Sequence, residues 1–114
     1  LNIAYSPVST GAHADTLVID YYDGAANANV TRDMTGTGAA PAVLSINEAP
    51  SYDYGTLATG SSLSHIFQVT NTGGVTATGM TGGAFGAHFT FTGGTYPGTG
   101  GNCAATLLAG ASCN

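Results

Sequence analysis

The sequence predicts an all-β fold, a sandwich of about seven to eight short strands, from three observations. Apolar residues recur with a period of two, in runs too short for a helix of ordinary length. Eighteen glycines and four prolines among 114 residues punctuate those runs. No stretch combines a 3.6-residue period with capping residues at its ends.

In chain order, Leu1, Ile3 and Tyr5 alternate with Asn2, Ala4 and Ser6 and predict a first strand. Leu17, Ile19 and Tyr21 alternate with Val18, Asp20 and Tyr22 and predict a second, ended by the turn dipeptide Asp23-Gly24. Val30 to Met34 is a weaker candidate, followed by Gly36-Thr37-Gly38, which reads as a turn. Ala42, Leu44 and Ile46 predict another strand. His65 to Asn71 predicts the next, with Phe67 and Val69 on one face and Asn71-Thr72-Gly73-Gly74 as its turn. Beyond the breaker Gly82-Gly83, His88 to Thr92 places Phe89 and Phe91 inward. Val75 to Met80 and Ala104 to Leu108 are weaker strands, and Gly93 to Gly101 is turn chemistry, since glycine accepts positive φ without penalty. Short strands with turn signals every 8–12 residues or so are the mark of an immunoglobulin-like β-sandwich.

Composition narrows function. Charged residues make up 6% of the chain, six acids against the single base Arg32, for a net charge of -5 with no lysine. With one cation there is no surface to neutralise phosphates, which argues against nucleic acid and anionic lipid as partners. Hydrophobic residues make up 43%, too many for a disordered tail. No run approaches the roughly 18 apolar residues of a membrane span, so no membrane insertion is expected. Two cysteines close in sequence, Cys103 and Cys113, in a Thr-, Ser-, Asn- and Gly-rich chain, suit an oxidising extracellular compartment and a disulfide. The start at Leu1, with no basic and apolar leader, suggests a processed or excised mature segment.

Three stretches carry a resemblance: Phe67-Gln68-Val69-Thr70-Asn71-Thr72-Gly73-Gly74, the segment from Cys103 to Leu107-Leu108-Ala109-Gly110-Ala111-Ser112-Cys113, and Tyr5-Ser6-Pro7 followed by Gly11. Together they resemble the Hydin-type (ASH-like) immunoglobulin repeat found in tandem in bacterial choice-of-anchor surface proteins. Relative to that repeat the order here is rotated. Residues 1–40 match the C-terminal half of one repeat, closing at Gly36-Thr37-Gly38, and residues 41–114 match the N-terminal half of the next, opening at Pro41-Ala42-Val43-Leu44. Placing Cys113-Asn114 before Leu1-Asn2-Ile3-Ala4-Tyr5-Ser6-Pro7 restores the family's spacing from cysteine to proline.

The resemblance implies a sandwich that is permuted or completed by strands from a neighbouring unit. Its partners would be identical subunits or adjacent repeats. Leu1, Ile3 and Tyr5 would supply the inter-subunit joining strand, Phe67, Val69, Phe89 and Phe91 its acceptor, and Cys103 with Cys113 the clamp. Neither half has enough apolar area to stand alone, and sparse charge leaves little to keep open strand edges apart.

Catalytic and metal-binding signals are thin. His13, His65 and His88 lack zinc-site spacing. Asp15, Asp20 and Asp23 are close enough in sequence to suggest calcium, but they read equally well as a solvated strand end. No phosphate loop and no nucleophile elbow occur, so no enzyme and no cofactor are expected. Asn29-Val30-Thr31 is an N-glycosylation sequon, which makes Asn29 a candidate acceptor. The functional expectation is a structural subunit or repeat of an extracellular bacterial fibre or surface protein. The alternative is an adhesin or lectin-like module that binds carbohydrate with Thr-rich strand faces or with Tyr21, Tyr22, Tyr52, Tyr54 or Tyr96.

Overall fold

The computed structural model describes residues 1–114. The protein is all-β, with seven antiparallel strands in three sheets and no helix. No helix is long and apolar enough to cross a membrane. Chain contacts divide it into two compact units, Leu1–Ala40 and Pro41–Asn114.

The first unit is a long hairpin. Strand β1, Gly11–Tyr22, pairs along its whole length with β2, Asn27–Gly38, in a register from Gly11 opposite Gly38 to Tyr22 opposite Asn27. β-branched residues such as Val18, Ile19, Val30 and Thr31 favour this pleated surface. The Asp23 carboxylate closes the turn by accepting the amides of Ala25 at 2.7 Å and Ala26 at 2.8 Å. Gly36-Thr37-Gly38, expected as a turn, is instead the last stretch of β2. Its glycines serve a close approach of the chain before β1. The Tyr5 ring lies 2.6–2.9 Å from where a Cβ on Gly36 would sit, and Ser9 O and Pro7 occupy the corresponding space at Gly38.

Leu1–Tyr5, expected as a strand, pairs with no other segment of this chain. Extended sequence alone does not make a strand; each N–H and C=O needs a neighbour in a ladder.

The second unit holds a three-stranded sheet and a two-stranded one. Strands β3, Leu44–Ile46, β4, Val69–Asn71, and β7, Ser112–Cys113, lie in the order β3-β4-β7, while β5, Ala77–Thr78, pairs with β6, Thr106–Leu107. The expected strand from His65 is regular only over its last three residues, although Asn47 continues the ladder by bonding Gln68 with both backbone and side chain. The strand expected over His88–Thr92 does not form. Phe89 follows a turn and is 60% exposed, so it is not a core residue, whereas Phe91 packs edge-on against Phe85 and Tyr96. The local aromatic alternation is real, but its backbone bonds go to nearby turns, Phe91 O to the Gly94 amide and Thr92 O to the Thr99 amide, and no ladder forms.

The core of this unit is small. Ala77, Cys103, Leu107 and Cys113 are buried, with Ala42, Val69, Met80, Tyr96 and Ala111 packed around them. Cys103 and Cys113 form a disulfide with a Cα–Cα distance of 5.0 Å. Asn71 is fully buried and fully bonded. Its Oδ1 accepts from the Val43 and Gly73 amides, and its Nδ2 donates to the carbonyls of Val75 and Leu107.

Candidate assembly surfaces

Each unit leaves one sheet face unfinished, as residue alternation makes plain. In an antiparallel pair, opposed residues share a face. On the hairpin, Asp15, Leu17, Ile19 and Tyr21 therefore share a face with Ala28, Val30, Arg32 and Met34. The other face carries Asn27, Asn29, Thr31, Asp33, Thr35 and Thr37 along β2. The first face is mainly apolar; the second is mainly polar, a row of amides and hydroxyls on β2 with Asp33 among them, although Val18, Asp20 and Tyr22 of β1 lie on it too. The apolar one is only partly covered: Leu17 and Met34 are half-buried, while Ile19 is 43% and Val30 55% exposed. Both outer edges of the hairpin are unpaired over 12 residues, a length of about 40 Å.

The three-stranded sheet repeats the arrangement. Leu44, Ile46, Val69 and Cys113 share one face; Ser45, Thr70 and Ser112 share the other, where Thr70 and Ser112 hydroxyls bond at 2.7 Å. The core covers the β4 and β7 side of the apolar face and leaves Leu44 and Ile46 45% and 56% exposed on β3.

Beyond β4 the alternation of Phe67 and His65 leads to an aromatic patch. His65 stacks on Tyr52 with ring centres 3.9 Å apart, Phe67 meets both rings edge-on, and Tyr54 contacts Tyr52 and Phe89. The Nε2 of His65 lies 3.1 Å from Glu48 Oε1, an ion pair when the imidazole carries its second proton.

The residues singled out from sequence are distributed as follows. Cys103 and Cys113 are joined and buried at the centre of the second unit. Leu1 is 93% exposed, Ile3 is exposed, and Tyr5 is anchored within its own unit by a 2.6 Å hydrogen bond to His13 Nδ1. Asn29 is exposed on the polar hairpin face, within a paired strand rather than a loop. Asp15, Asp20 and Asp23 do not converge: Asp15 accepts the Thr16 amide, Asp23 closes the turn, and no group of three His, Cys, Asp or Glu side chains is positioned to hold a metal. His13 and Asp15 line one shallow hollow, but both ring nitrogens of His13 are engaged, by Tyr5 and by Ser9.

The structural weight of Asn71 went unrecognised in the sequence. Asn71-Thr72-Gly73-Gly74 reads as a turn, yet the side chain staples the segments around residues 43, 75 and 107 together. The available signal was Gly73, where any Cβ would collide with the backbone of Pro41, Ala42 and Val43.

Fold and surfaces together define a disulfide-bonded, all-β chain with incomplete sheet faces. No protein-family model, no curated protein and no solved structure matches it.

Proposed function

We propose that this chain is a structural subunit or repeat of an extracellular bacterial fibre or surface protein, in which the hairpin of one unit completes the immunoglobulin-like sandwich begun by the next. Its role is mechanical rather than catalytic, and its principal partner is another copy of itself or an adjoining repeat.

Exposed area is the observation that carries this reading. Two separate globules of about 4 and 7 kDa would together expose about 6,800 Å². The chain exposes 8658 Å², an excess of about 1,900 Å². Twenty large apolar side chains are exposed against four buried apolar residues. Apolar exposure on that scale, where it is contiguous, marks an interaction site. Supporting features are the unpaired hairpin edges, which offer backbone groups for strand addition, and the disulfide, which suits an oxidising compartment outside the cytoplasm. The likeness to a Hydin-type repeat cut out of phase points the same way.

Electron microscopy of the native material, combined with mass measurement under reducing denaturation, tests the proposal. Filaments that dissolve to a species of the chain's own mass are expected from separate subunits, and a very large polypeptide from a tandem array. Dispersed monomers at high concentration would refute both.

A second reading, a carbohydrate-binding module, is favoured by the patch of Tyr52, Tyr54, His65, Phe67 and Phe89, since stacked rings with exposed edges bind sugar faces. Saturable glycan binding lost in Tyr52→Ala, with no filaments present, would establish it in place of the first.

A further inference from the structure

We infer that the joint between copies is face to face and directional: the apolar face of the β1–β2 hairpin in one copy covers the open β3 face of a second copy, with Arg32 set against Glu48. This inference rests on the assembly reading above and adds to it the two surfaces and their polarity.

Shape and chemistry single out these faces. Each is a sheet face with adjacent exposed apolar residues, Ile19 and Val30 on one and Leu44 and Ile46 on the other, and each has a more polar opposite face. Sheets stacked face to face interdigitate such residues at a spacing of about 10 Å. Area agrees as well. A chain that gives one face and receives one loses the area of a full interface, and the excess of about 1,900 Å² lies within the usual range of about 1,200–2,000 Å² for a stable joint.

Charge fixes the orientation. Arg32 is the only lysine or arginine in the chain. It stands opposite Leu17, on the apolar hairpin face, and makes no ion pair within the chain. Asp15, the one carboxylate on the same face, accepts the Thr16 amide and makes no ion pair with Arg32, so covering the face without a further carboxylate to receive the guanidinium would leave a buried unpaired charge. The second unit has two acids, Glu48 and Asp53, and both lie beside the receiving surface: Glu48 two residues beyond Ile46, and Asp53 between Tyr52 and Tyr54. Glu48 follows directly on the β3 face, and its bonds to Asn47 and His65 engage Oε1 alone and leave Oε2 to receive a guanidinium, so Glu48 is the partner assigned to Arg32. The neighbouring Tyr52 ring offers the cation a second favourable contact.

Complementation between variants tests the inference. Ile19→Asp spoils the donor face and Ile46→Asp the receiving face; both side chains are exposed in the single chain, and intact disulfide and unchanged circular dichroism verify the fold. By sedimentation velocity, wild type is expected to form open-ended oligomers and each variant alone to remain monomeric. An equimolar mixture is expected to stop at dimers, because one intact face of each kind remains. Arg32→Glu is expected to weaken assembly at least tenfold, and combining it with Glu48→Lys to restore it to within about threefold.

Wild-type filaments with either aspartate variant still assembling, or with a mixture that stays monomeric, would overturn the face assignment while leaving the fibre reading intact. Loss in Arg32→Glu without recovery in the double variant would overturn the assigned ion pair. A wild type that stays monomeric at every concentration, its hairpin folded onto its own second unit or onto nothing, would overturn both proposals.

Discussion

Asp23 and Asn71 show how single polar side chains hold a chain with so little core. Amides of Ala26 and Ala25 pointing at the Asp23 carboxylate hold its pKa below the ordinary value. The folded pKa is lower than the unfolded one, so the stabilisation is present above the unfolded value and is lost as pH falls through the folded value. An acid titration followed by NMR is expected to show the Ala25 and Ala26 amide shifts moving together, with a midpoint below that of an unstructured aspartate. Asp23→Ala should accelerate hydrogen exchange at those two amides while leaving the second unit unchanged. Asn71→Ala strips four backbone groups of their partner and should destabilise the second unit by about 3 kcal/mol, read from its urea midpoint. Asn71→Asp should be worse, because it turns an oxygen toward the carbonyls of Val75 and Leu107, where Nδ2 now donates.

Among the elements, the hairpin was the most legible from sequence and also the most underestimated. Alternation located Leu17–Tyr22 and Val30–Met34, and Asp23-Gly24 located the turn. The pairing continues to Gly11 and Gly38 because a ladder tolerates glycine and threonine once both strands are in register, and that register is invisible to a local reading. The opposite error arose at Leu1–Tyr5 and His88–Thr92, where a period of two is present but no ladder forms, the second segment bonding only across short turns. Periodicity reports which side chains could share a face; it does not report whether a neighbouring strand runs alongside in register. The candidate surfaces follow the same division. Cys103 and Cys113 stood out by composition, but the aromatic patch joins Tyr52, His65 and Phe89 across long sequence intervals that no motif connects. The disulfide closes a separation of ten residues, and its loss should destabilise the second unit by about 2.5–3 kcal/mol through loop entropy. It also supplies two of the four buried core residues, so Cys103→Ser with Cys113→Ser is expected to melt β4–β7 pairing while the hairpin's circular dichroism persists.

For the whole molecule, Arg32 is the sole tryptic site and lies in the middle of paired strand β2. Proteases bind extended, unpaired backbone, so cleavage should proceed only through local opening of the hairpin. Limited proteolysis is expected to yield a single cut, giving fragments 1–32 and 33–114, and to be slower in assembled material than in monomer. Cuts at several places would contradict the sequence itself.

The two hydroxyl-bearing faces, the Thr and Asn row on β2 and the group Ser45, Thr70 and Ser112, have a consequence for how the material meets its surroundings. Stacking through the apolar sides leaves these faces outermost, presenting hydroxyls and amides together with the carboxylates of Asp20 and Asp33. Like charges on neighbouring threads repel in dilute buffer, and brine screens them, so bundling should increase with ionic strength.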